Sequence, residues 1–161
     1  MTEQNLVSGR NYSHETIGSS TAWRNVLGYI DKVAPTNTTV LIVGETGTGK
    51  EHVARKIRLG SNRKDYPLHI VSCGELIDTI RTTLLGHEAG AYTSASKLRR
   101  GVFEDANGHT LFLDDIAKLP YGLHGALHRV LEYGDFRRVG GTHSLSTDVR
   151  IVAARTKNLA E

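Results

Sequence analysis

Apolar positions fall along the chain in two rhythms. Between Thr21 and Val33, Trp23, Val26, Leu27 and Ile30 recur at intervals of three and four, the spacing of one helix face. Ser19 and Ser20 stand where a cap is needed, and Pro35 ends the helix. Val40-Leu41-Ile42-Val43 has no polar interruption and reads as a buried strand, apolar on both faces. A helix is predicted from about Lys50, with Val53, Ala54 and Ile57 as its apolar side. His69–Cys73 predicts a second strand and Glu75–Leu85 a helix. Gly86–Gly101 is rich in Gly, Ser, Thr and Ala and predicts an exposed loop or hairpin. Leu111-Phe112-Leu113 predicts a third buried strand, ending in Asp114 and Asp115. Pro120 fits a first helical turn, followed by Leu123, Leu127 and Leu131 at four-residue spacing. Phe136–Ser144, with Gly140-Gly141, predicts a β-hairpin, and Val149–Ala153 another strand. Strands alternating with helices imply an α/β fold whose mostly parallel sheet is covered on both faces.

Composition narrows the class without naming a function. The 161 residues suffice for one domain with a sizeable core. No apolar run approaches bilayer length, and the polar N-terminal segment, residues 1–16, lacks the core of a signal peptide. With Cys73 as the one cysteine there is no disulfide framework, so a cytoplasmic location is expected and no membrane partner. A net charge of +3 and a pI near 9.1 permit nucleic-acid contact without arguing for it, because the basic residues are dispersed. Lys97, Arg99 and Arg100, the densest group, read as a solvated loop. His124 and His128 are spaced i, i+4, but no Glu follows His124 as zinc-protease chemistry needs, so a helix surface is expected there. His87 is expected to shape the base of its loop, and Cys73 to pack as a small hydrophobe.

The chemistry concentrates in GETGTGKE, Gly44–Glu51. The spacing G-x-x-x-x-G-K is complete in Gly44, Gly49 and Lys50, and it lies between a predicted strand and a predicted helix. Glycines let backbone N–H groups of Glu45, Thr46, Gly47 and Thr48 curl around phosphate oxygens, and the helix N-terminus adds partial positive charge. Lys50 would reach the β- and γ-phosphates. The Ser or Thr that usually follows the lysine to meet Mg²⁺ is Glu51 here, so the metal must be held differently. Alone, a strand ending in two aspartates fits many solvent-facing strand ends. Downstream of a complete phosphate loop, Asp114 is the expected Mg²⁺ holder and Asp115 the carboxylate that polarises an attacking water.

These motifs, together with LLGHEAGAYTSA, GHTLFLDDI, FRRVGG and DVRIVAARTKNL, resemble the P-loop ATPase (AAA+) domain of sigma-54-dependent transcriptional activators. The resemblance runs from about Ile17 to Asn158 and assigns residues 17–161 to that core, a three-layer αβα fold. It implies ATP and Mg²⁺ as cofactors, a ring of subunits with ATP between them, and the sigma-54 RNA polymerase holoenzyme as partner. Gly90, Ala91, Tyr92, Thr93, Ser94 and Ala95 would form the tip of the sigma-contacting loop. Ile17 and Gly18 match the segment near the adenine. The family habit of Glu after Lys accounts for Glu51.

The chain also departs from the family pattern. The catalytic Glu is Asp115, one methylene shorter, and a displacement of about 1 Å can cost on the order of a hundredfold in rate. The Asn expected to pair with that carboxylate is Ser72, also shorter, so the two side chains are expected to be uncoupled rather than compensating. Ser94 replaces a glycine, which predicts a penalty if that position needs φ > 0 or close backbone approach. The sensor polar residue is replaced by Arg155 or displaced to Thr156. The chain stops at Glu161, before the arginine fingers, the helical lid, the last strand of the expected sheet and the C-terminal DNA-binding domain, so it reads as a fragment without its lid. Two readings follow. One is the core of an activator that couples ATP hydrolysis to remodelling of polymerase–promoter complexes. The other is a degenerate nucleotide-binding regulatory module with little turnover, acting without sigma-54. Impaired turnover is expected of this chain.

Overall fold

The computed structural model describes residues 20–75 and 79–156. Helix α1 spans Thr21–Val33, and the Ser20 side chain accepts the Trp23 N–H at its start. Strand β1 is Val40–Gly44, α2 Lys50–Leu59, β2 Leu68–Ser72, α3 Ile80–Leu85 and α4 Val102–Asp105. Then come β3 (Thr110–Asp114), a single 3₁₀ turn (Ile116–Lys118), α5 (Tyr121–Tyr133), the short strands β4 (Asp135–Phe136) and β5 (Leu145–Ser146), and β6 (Arg150–Thr156).

The main sheet has the order β1-β6-β3-β2, all parallel. Successive residues of β3 and β6 enter opposite layers, as a pleated strand requires. Phe112, Val152 and Ala154 meet Ile30, Ala54 and Ile57 from α1 and α2. Leu111, Leu113, Ile151 and Ala153 meet Ile80, Leu84, Phe103, Leu123 and Phe136 on the other side. The result is three layers, helix on sheet on helix. Arg150 is buried at the start of β6 and donates to the Ala34 and Val33 carbonyls, closing the end of α1 onto the sheet. Arg63 does similar work, donating to His109 O and to Asp148.

The sequence expectations differ from this fold in four places. β1 is an edge strand: Val40 and Ile42 pack inward, while Leu41 and Val43 are 57% and 53% exposed. Position in the sheet, which composition does not encode, decides this. The helix expected over 75–85 begins only at Ile80; Glu75 is in a turn and residues 76–78 lie outside the described residues. On α5 the inward face is Leu123, Leu127 and Val130; Leu131 is 45% exposed, because strict four-residue spacing drifts around a 3.6-residue helix. The hairpin has its paired strands at Asp135–Phe136 and Leu145–Ser146, outside and around the Gly140-Gly141 turn.

Candidate functional site

The phosphate loop leaves β1 at its C-terminal end and enters α2, so its backbone N–H groups and the first turn of α2 face one cleft. Gly47 and Gly49 have φ of 80° and 81°, where a side chain would be strained. Gly49 precedes Lys50 without any side-chain cap, so the donors of the first turn are left for a ligand. Lys50 Nζ donates to Gly44 O at 3.1 Å and Glu45 O at 2.7 Å, and Thr48 Oγ1 donates to Glu45 O at 2.8 Å. The loop is therefore curled around the ammonium. Glu51 does not point its charge into a vacant role: Arg55 donates to its Oε1 at 2.9 and 2.6 Å.

A cavity of about 440 Å³ joins this loop to the ends of β3 and β6. Thr46, Gly47, Gly49, Lys50, Glu51, Asp114, Asp115, Lys118 and Thr156 line it. Parallel pairing explains the convergence: Ser72 lies opposite Asp114 in register, and Gly44 opposite Thr156. Strands that all run the same way bring their C-terminal residues to one rim.

Asp115 stands at φ 56°, ψ 51°, the only non-glycine with positive φ among the described residues. That left-handed step turns the chain sharply from β3 into the 3₁₀ turn, where Lys118 N–H donates back to Asp115 O at 2.9 Å. It also brings Lys118 Nζ within 2.8 Å of Asp115 Oδ2. The hydrogen bond from Lys118 holds the Asp115 carboxyl below the usual range, partial burial opposes it, and the Thr156 backbone N–H and the Lys50 charge add to it. Lys118 in turn is shifted upward by Asp115. Its stem lies over Gly74, where a Cβ would come 2.8 Å from its Cδ.

Among the described residues, Asp115 takes its side-chain partner from Lys118, not from Ser72, which sits in register with Asp114. Of the two sensor candidates, Thr156 lines the cavity and Arg155 does not, because adjacent residues of a strand face opposite ways. Lys118 was not anticipated from the sequence. An i, i+3 relation to Asp115 was available, but its value depends on the left-handed turn. Ile17 and Gly18 lie outside the described residues. Cys73 is buried, and burial with the Asp114 and Asp115 charges pushes its thiol up to about 11, so it is inert. His124 Nε2–H donates to Leu119 O at 3.0 Å, and His128 is exposed, as a helix surface implies.

The loop carrying Gly90–Ala95 is closed at both ends. At its tip, Gly90 N–H donates to Ala95 O at 2.7 Å and Ala95 N–H to Tyr92 O at 2.9 Å. Gly90 supplies the positive φ of 80°. Ser94 has no positive φ, so its Cβ meets no backbone strain on that account. The Tyr92 hydroxyl reaches His87 Nδ1 at 3.2 Å. At the base, His87 and Arg99 exchange backbone hydrogen bonds at 2.9 Å, and Glu88 N–H donates to Val139 O. Gly86 and Gly101 pass so closely that a Cβ on Gly86 would stand 2.4 Å from Arg99 O. Arg138 then bonds Glu104 at 2.8 and 2.7 Å and Glu88 at 2.8 Å, tying loop, α4 and hairpin together.

A family description, the sigma-54 interaction domain, matches residues 16–161. The chain belongs to the sigma-54 interaction domain family. The Nif-specific regulatory protein of Herbaspirillum seropedicae is 42% identical over 95% of this chain, and the transcriptional regulatory protein ZraR of Klebsiella oxytoca 44% over 90%. Those matches cover 28% and 33% of the relatives, so the chain spans about a third of their length or less. Among solved structures, Brucella abortus NtrX in complex with ATP superposes with a TM-score of 0.81 at 35% identity, over 91% of this chain and 31% of that one. The same protein in complex with ADP gives 0.81 at 34%, over 91% and 32%. The sigma-54 interaction domain fold is thus the AAA+ type of α/β architecture inferred from the motifs. Among the described residues no helix is long and apolar enough to cross a membrane.

Proposed function

We propose that this chain is the ATP-binding core of a sigma-54-interacting transcriptional activator, and that it couples ATP hydrolysis to remodelling of polymerase–promoter complexes. The observation that carries the reading is the single cavity in which Lys50, Asp114, Asp115 and Thr156 converge at the open N-terminus of α2. Lys50 would exchange its two carbonyl partners for phosphate oxygens. The donor set fits Mg²⁺ arriving with the nucleotide. Among the described residues no group of three or more His, Cys, Asp or Glu could hold a metal unaided, and Mg²⁺ characteristically combines one or two carboxylates with phosphate oxygens and water. Asp114 would take that place; bound Mg²⁺ would neutralise charge on the phosphates.

Asp115 is held ionised, which suits orienting and polarising a water through a carboxylate oxygen. Its own basicity is low while Lys118 is bound to it. Turnover therefore requires the Lys118–Asp115 pair to open, and Lys118, lining the same cavity, is placed to move onto a terminal phosphate as it does so. Thr156 would read that phosphate from the end of β6. Assembly into a ring and contact of Gly90–Ala95 with sigma-54 belong to the same reading, and the hydrogen-bonded base that presents the loop supports the second.

The test is nucleotide affinity together with phosphate release. Lys50→Ala is expected to weaken ATP binding at least tenfold; unchanged affinity would overturn the reading. Lys118→Met is expected to weaken ATP more than ADP, because only ATP offers a terminal phosphate. A family member of the non-hydrolysing kind would instead bind ATP, release no phosphate above the Lys50→Ala background, and gain turnover in Asp115→Glu.

A further inference from the structure

A second cleft lies away from the phosphate loop, between α3, α5 and the turn that follows β4. Its volume is about 450 Å³, comparable with that of the nucleotide cavity. Four arginines line it: Arg81 from α3, Arg129 from α5, and Arg137 and Arg138 after β4. No carboxylate does. Two of the four are already neutralised from behind. Arg129 pairs with Asp135 at 2.6 Å, and Arg138 with Glu104 and Glu88. Arg81 and Arg137 form no ion pair among the described residues, although the Arg137 charge is felt at Asp135, which Arg129 already holds. The cleft thus carries about two uncompensated positive charges.

Its shape also suits an anion. Gly122, Gly140 and Gly141 also line it, with the Glu88 side chain, already held by Arg138, beside Gly141, and Leu85, Ala126 and Phe136 make an apolar part of the lining. The Arg81 guanidinium lies at the first turn of α5, its Nη1 4.0 Å from where a Cβ on Gly122 would stand. That turn adds the positive end of a 13-residue helix. Planar guanidinium forks bind phosphate oxygens in pairs, and a low-dielectric lining strengthens the attraction. The cleft adjoins the loop described above: a Cβ on Gly140 would stand 2.7 Å from Ala91 Cβ.

We propose that this arginine cleft is a binding site for phosphate groups, separate from the nucleotide cavity, with Arg81 and Arg137 as the contacting residues. Such phosphates come either from a nucleic-acid backbone or from a small polyphosphate. An occupant would fix the turn around Gly140 and so the flank of the loop at Ala91.

The experiment is carried out on the Lys50→Ala protein, so that the phosphate loop does not compete. Affinities for inorganic pyrophosphate and for a short DNA duplex are measured by calorimetry across a salt series. Arg81→Ala/Arg137→Ala is compared with Arg24→Ala/Lys32→Ala, which removes the same charge from α1. Far-UV circular dichroism and melting confirm that each variant is folded. The cleft variant is expected to lose at least tenfold in affinity and, for the duplex, to lower the slope of log K against log salt by about 2, one unit per lost phosphate contact. The α1 variant is expected to change either by less than twofold. Duplex binding with these properties identifies nucleic acid as the source, and pyrophosphate binding alone identifies a small polyphosphate. Equal losses in both variants, or no binding of either probe, overturn the proposal. Because Lys50 is absent throughout, failure here leaves the nucleotide reading intact, and failure of that reading leaves this one standing.

Discussion

Asp115 and Lys118 are the charged pair at the rim of the cavity beside the phosphate loop. A carboxylate bound to an ammonium at 2.8 Å is a weak proton acceptor and a fixed one. Lys118→Met frees the carboxylate but removes the ammonium proposed to meet the terminal phosphate, so phosphate release should fall below the parent rate. A rise would show that Lys118 only restrains Asp115. Cys73 gives a simpler check. With its thiol pushed up to about 11, about 0.1% is thiolate at pH 8. Modification by a disulfide reagent should be negligible in the folded protein and complete after denaturation. Fast labelling would mean that the end of β2 opens readily. Of these residues the sequence displayed Lys50, Asp114 and Asp115 through their motifs. It concealed Lys118, whose importance depends on a backbone dihedral at another residue.

At the level of elements, the Arg138 node is the part whose removal should be felt most. Its side chain is 16% exposed and bonds two carboxylates belonging to two different segments. Arg138→Met is expected to cost about 2 kcal/mol, the scale of charged hydrogen bonds left unmade. Loss of protection in amide exchange should be concentrated at Glu88, Val139 and α4. The pH dependence has a definite sign. The Arg138 hydrogen bond holds Glu104 below its usual range, so the stabilisation is present above the ordinary carboxylate value and is lost as pH falls through the lowered one. Melting of the parent protein between pH 6 and 3 should therefore fall more steeply than that of Arg138→Met. Element type was largely legible in the sequence, because α1, α2, β3 and β6 each carry an unbroken period or run. What was not legible depends on neighbours. β1 looks like a central strand and lies at an edge, and the hairpin strands sit outside the glycine turn that announces them.

At the level of the whole molecule, the two helix layers are welded through the sheet. Phe112 is fully buried between the sheet and the layer of α1 and α2, and Phe112→Ala should cost about 3–5 kcal/mol. This is large enough to unfold a marginal domain. Nucleotide should act in the opposite direction. If the cavity binds ATP as proposed, saturation at a hundred times Kd should add about 2.7 kcal/mol, seen as a raised melting temperature that Lys50→Ala abolishes. The parallel order β1-β6-β3-β2 makes this possible, since it delivers the phosphate loop, Asp114 and Thr156 to one rim from three distant parts of the chain.

The left-handed backbone at Asp115 also bears on how this protein could be improved. Aspartate tolerates that conformation better than glutamate, because its short side chain can hydrogen-bond locally. Lengthening the side chain to regain reach toward a water would therefore load strain onto the turn that places it. Selection for faster turnover and selection for a robust fold pull in opposite directions at this one position. Laboratory evolution should accordingly recover Asp115→Glu together with a compensating change in the turn it begins, at Ile116, Ala117 or Lys118.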